Sequence, residues 1–153
     1  MGALFYVVFH IFSNVLYLEL ITFTILIFAQ VFPKKEVIFA CVLFATIQLL
    51  LHGIMIWNIA YLCIYPLYAW IFGKMKALFE RHELLPAIIG GSLSFACGML
   101  VDLPYLLLDK KITVMYWLMG LKTSLIQGCL TVIVIVCLYA PVKKILVQIE
   151  KGR

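Results

Sequence analysis

The chain is patterned in long apolar runs rather than in alternating or striped positions. Between Val37 and Gly73 it carries no Asp, Glu, Lys or Arg. A hydrocarbon slab of ~30 Å needs ~20 apolar residues per helix, so this run predicts two spans meeting at His52-Gly53. Three more runs surround it: Ala3–Phe32, Leu84–Leu108 and Ile112–Tyr139. Backbone groups in lipid must pair internally, which leaves helices or a closed barrel. The runs are continuous, which favours helices. The expected fold is an all-α membrane protein, a compact bundle of five to six transmembrane helices, with residues 1–153 as one integral membrane domain.

Two runs are open to more than one division. Ala3–Phe32 would span ~45 Å as a single helix, long for one crossing and short for two. A break at Ser13-Asn14 would give six spans with both ends on one side. A single crossing would give five. Ile112–Tyr139 is also long, and Gly120 is a candidate interruption. The first twenty residues lack a basic leader and a small-residue cleavage site, so they read as a retained helix. Tyr6 fits the myristoylation pattern poorly.

Composition agrees: 66% of the 153 residues are hydrophobic and 12% charged, which excludes disorder and ordinary soluble classes. The net charge of +5 is topological rather than a nucleic-acid signal, because the charges sit in short loops. With Val37–Gly73 as a hairpin, nine basic residues share one side: Lys34, Lys35, Lys74, Lys76, Arg81, Lys143, Lys144, Lys151 and Arg153. Only Lys110 and Lys111 fall opposite. The positive-inside rule then predicts a multi-pass cell-membrane protein with a cytoplasmic C-terminus. The His52–Trp57 and Asp109–Lys111 turns would face outward. Cys41, Cys63, Cys97, Cys129 and Cys137 lie inside apolar runs without a CxxC, and read as packing residues.

Small residues recur at helical spacing in Gly90, Ser94 and Gly98, and again in Gly120, Ser124 and Gly128. Such faces let helix backbones approach closely. They serve packing within the protein or docking of a membrane partner. Asp102 and Lys122 are costly in lipid and must face a cavity, a partner or each other. Aromatics gather at the outer mouth. Trp57, Asn58 and Tyr61 share one helix face and mix stacking surface with hydrogen-bonding groups, the mixture a small-ligand pocket needs. Tyr116, Trp117 and Lys122 lie along the segment that re-enters from the other outer turn. These six are the candidate substrate contacts, with Lys122 answering an anionic group. His10 and Glu19 need not interact, and His52 and His82 read as interfacial or solvated. No nucleophile is assembled with a base, and no cofactor or metal motif is present, which disfavours an enzyme.

The stretch LPAIIGGSLSFACGMLVDLPYLLL followed by MYWLMGLKTSLIQGCLTVIVIVCLYAPVKKIL resembles the membrane S-components of energy-coupling factor (ECF) vitamin transporters. Gly120 through Ile126 occupies that family's middle motif. Tyr139-Ala140-Pro141-Val142-Lys143-Lys144-Ile145-Leu146 is similar to its tail, and the Trp57–Gly73 helix looks like the Trp-led helix of some members. Two features depart from the pattern: Lys122 stands where Pro is usual, and the first run has no A-x-x-x-A face. The resemblance implies a substrate-capture subunit that takes up a vitamin or related micronutrient from outside. Its implied partners are a transmembrane coupling subunit and two ABC-type ATPase subunits. A structural membrane scaffold of the rod-shape-determining type is the alternative, having similar length and a basic tail.

Overall fold

A computed structural model describes residues 1–12, 20–107 and 109–152, with the side chains of 8–12 left aside. Every regular element among these is helical: α1 (Gly2–Phe12), α2 (Ile21–Val31), α3 (Lys34–His52), α4 (Ile56–Lys74), α5 (Lys76–Arg81), α6 (Leu85–Val101), a 3-10 segment (Leu103–Leu107) and α7 (Lys110–Lys151). Four of them are long and apolar enough to cross a membrane: α3, α4, α6 continued through the 3-10 segment, and α7. Their outward faces are apolar too, with Phe39, Leu50, Leu118 and Met119 each at least 70% exposed. Surfaces of that kind suit lipid rather than water.

At the centre runs α2. Its sequence, ITFTILIFAQV, is apolar all round, and all eleven residues are buried, as expected for a helix enclosed by neighbours on every side. It packs on α1, α3, α4, α6 and α7. The first run is not one straight helix. Such a helix would hold Phe5 and Phe28 ~35 Å apart, yet their ring centroids are 5.2 Å apart. The Ser13-Asn14 break and Glu19 lie outside the described residues, and His10 is described only in its backbone.

Helices α3 and α4 form the hairpin read from the charge-free run. Gly53 adopts φ +83°, a left-handed conformation that suits Gly. Pro66 sits within α4 without ending it. From Phe32 a column of rings runs through Phe28, Phe5 and Phe44 to Tyr65 and Tyr61. Tyr68, fully buried, donates from Oη to the Leu93 carbonyl at 2.7 Å and ties α4 to α6.

The most extensive interface joins α6 to α7. A Cβ on Gly91 would meet Val132, and one on Gly128 would come within 3.1 Å of the Gly91 carbonyl oxygen. Gly98 packs on Ser124, and the Thr131 hydroxyl donates to Ser94 at 2.9 Å. The small faces are thus used for packing within this chain. Gly120 stands apart, with only Asp102 within 4 Å of its Cβ position. Nor does Gly120 interrupt α7, which is continuous over 42 residues. One Gly costs a helix only ~1 kcal/mol relative to Ala, too little to break a helix supported along its length.

Candidate functional site

All six candidate contacts lie toward the end of the bundle that carries the Gly53 turn; Lys34 and Lys74 mark the other end. Trp57 is exposed at the start of α4. Asn58 is buried, and its Nδ2 donates to the Gly53 carbonyl at 3.0 Å. That amide closes the α3–α4 turn. Tyr61, half-buried, stacks on Tyr65 with centroids 4.8 Å apart and planes 11° apart.

On α7, Tyr116 is exposed and stacks on Tyr105 of the 3-10 segment, with centroids 4.9 Å apart. Trp117 donates from Nε1 to the Met99 carbonyl at 3.0 Å. Met99 is in the last turn of α6, where carbonyls lack intrahelical partners, so the indole caps that helix. The polar atoms of Asn58 and Trp117 thus have structural partners already. The 3-10 segment packs on both α4 and α7.

Asp102 and Lys122 do not pair in the structure. Asp102 approaches Gly120, its Oδ2 3.9 Å from the Cβ position there. Lys122 is two residues further on, about 200° around the helix, and is exposed. An exposed ammonium offers a ligand only the small interaction of a surface charge, ~0–1 kcal/mol, unless the ligand itself excludes water.

Two buried polar features had escaped the reading of the sequence. Gln30, buried near the Lys34 end of α2, donates from Nε2 to the Phe72 carbonyl at 3.2 Å, while its Oε1 has no partner. The Tyr139 hydroxyl is likewise buried without a hydrogen bond. Tyr139 lines an open cavity of about 770 Å3 between the start of α6 and the last turns of α7. At this same end the ammonium groups of Lys34 and Lys74 both lie over the Trp70 ring, 5.2 and 5.1 Å from its centroid. Among the described residues, His, Cys, Asp and Glu form no cluster of three that could hold a metal. The chain matches no protein-family model, no curated protein and no solved structure.

Proposed function

We propose that this chain is a membrane-embedded capture subunit that takes up a small solute, vitamin-like in size, at its outer face and depends on partners for energy. The observation that carries the reading is the 3-10 segment Leu103–Leu107, packed between α4 and α7. The segment is itself helical and none of its residues is buried, so its side chains stay accessible at the outer edge of the membrane. It packs on α4 and α7, and its Tyr105 stacks on Tyr116. Trp57, Tyr61 and Tyr116 would hold a flat ligand, Lys122 would meet an anionic substituent, and Asn58 and Trp117 would position the walls. The likeness of the C-terminal motifs to ECF S-components supports the same reading.

In this proposal α1 and α2 complete the bundle to five or six crossings. From Lys122 to Lys143 is ~32 Å along α7, close to the ~30 Å of hydrocarbon. The slab would lie between those two lysines, with Asp102 and Lys122 at its outer edge and the Lys34 end in the cytoplasm. Orientation is tested by single cysteines in a background lacking the native ones. An impermeant thiol reagent added outside should label Lys111→Cys and spare Lys76→Cys. The reverse pattern would invert the topology.

Purification in mild detergent, followed by mass spectrometry of bound small molecules and proteins, tests the function. The expected result is a bound heterocyclic metabolite, with a larger membrane subunit and ATP-binding-cassette proteins. Recovery of cell-wall synthesis proteins and no ATPases would replace this reading with the scaffold.

A further inference from the structure

We infer that the cavity between the start of α6 and the last turns of α7 is a binding site for an anionic phospholipid of the cytoplasmic leaflet. The inference uses the orientation proposed above and is independent of solute capture. As α7 leaves the apolar zone, its cavity-facing residues change from Ile135 and Val136, through Tyr139, to Lys143, Lys144 and Lys151. Phe79, Leu84 and Ala87 complete an apolar floor. Val136 to Lys151 is ~22 Å of helix, enough to follow a lipid from its upper acyl chain to its phosphate.

Charge selects the headgroup. Three lysines line the cavity against one acid, Glu83, with Glu80 within electrostatic reach of Tyr139. Basic pockets between spans on the cytoplasmic side are suited to anionic headgroups. The Tyr139 ring, which lines the cavity, supplies a second observation. The Lys143 ammonium lies 5.5 Å from its centroid, which holds that charge at the apolar floor. The Tyr139 hydroxyl is closed off from the open cavity, so a phosphate entering the cavity would be met by the Lys143 ammonium over the Tyr139 ring. The cavity is open, and Val136, Ala140 and Lys144 on its wall are exposed. A lipid can therefore enter from the side.

The test is native mass spectrometry of the full chain, stripped of lipid and reloaded with phosphatidylglycerol, with phosphatidylcholine of the same acyl chains, or with inorganic phosphate. The wild type should retain phosphatidylglycerol at least tenfold over phosphatidylcholine. A lysine near an anionic lipid surface is worth about fivefold in affinity. Lys143→Gln, Lys144→Gln and Lys151→Gln together should therefore bring the two lipids to near parity, while Lys110→Gln with Lys111→Gln leaves the preference intact. Ala140→Trp, which fills the cavity without changing charge, should also lose phosphatidylglycerol and decides the matter if the triple variant does not stay monodisperse. Equal retention of both lipids by the wild type overturns the site, as does undiminished phosphatidylglycerol in Ala140→Trp. Displacement by millimolar phosphate would make it a small-anion site instead. A partner protein lost on the triple substitution while lipid is kept would make it a protein interface.

Discussion

Gly128→Leu is expected to destabilise the protein severely, whereas Gly120→Leu is expected to leave it nearly unchanged. The two glycines belong to the same four-residue repeat, and only geometry separates them. At Gly128 a Cβ would lie 3.1 Å from the Gly91 carbonyl oxygen and 3.1 Å from the Phe95 Cβ. The contact is reciprocal, since the Gly91 Cβ position is 3.2 Å from the Gly128 carbonyl oxygen. A leucine there must push one helix backbone off another, and the Ser94–Thr131 hydrogen bond next to it would open. Overpacking costs ~1–3 kcal/mol when side chains can yield, and here backbone must yield, so the upper figure applies. At ~3 kcal/mol the unfolding midpoint of a chain this size should fall by ~6–12 °C. Thermal unfolding followed by size-exclusion chromatography in mild detergent measures it. Gly120→Leu, whose nearest neighbour is Asp102 Oδ2 at 3.9 Å, should shift the midpoint by no more than ~2 °C. Equal effects at the two positions would show that the α6–α7 contact does not hold the bundle together.

Tyr68→Ala should be as damaging, by a different route. Tyr68 is fully buried, with its ring packed edge-on to Phe72 at 6.4 Å and its hydroxyl donating to Leu93. Truncating a buried aromatic side chain costs ~3–5 kcal/mol through the cavity it leaves. Tyr68→Phe removes only the interhelical hydrogen bond, worth ~0.6 kcal/mol on average and at most ~1.7 in membrane bundles. The same assay should therefore place Tyr68→Phe close to the wild type and Tyr68→Ala far below it. If Phe proves as harmful as Ala, the hydroxyl rather than the packed ring ties α4 to α6.

These contrasts mark how far the sequence could be read. The Val37–Gly73 hairpin was legible because absent charge and a Gly in a turn are local signals. The division of Ala3–Phe32 was not, because the Phe5–Phe28 contact is set by packing between distant segments. Small residues at Gly90, Ser94 and Gly98 announced a close helix contact. That Gly91 rather than Gly120 completes it depends on the register of α6 against α7, which no spacing within one helix reveals. At the candidate site the same limit applies. Asn58 and Trp117 are polar residues in an apolar setting, as a ligand contact would be. Their donors go to the Gly53 and Met99 carbonyls, partners that exist only once the turns are built. Asp102 and Lys122 sit at similar depth, yet the two-residue offset from Gly120 turns the lysine away. The basic tail was legible as a topological signal. Its alignment above an apolar cavity floor required the start of α6 to be placed beside it.

One dimension of α7 carries a mechanical consequence. Its 42 residues make a rod ~63 Å long, about twice the ~30 Å hydrocarbon thickness. Pivoted at mid-length, a 10° swing of such a rod would carry each tip ~5 Å in opposite directions. Pro141 lies ten residues before Lys151 and removes one backbone hydrogen bond there, so the tip beside Tyr105 follows such a swing directly while the Lys151 end follows it through a weakened joint.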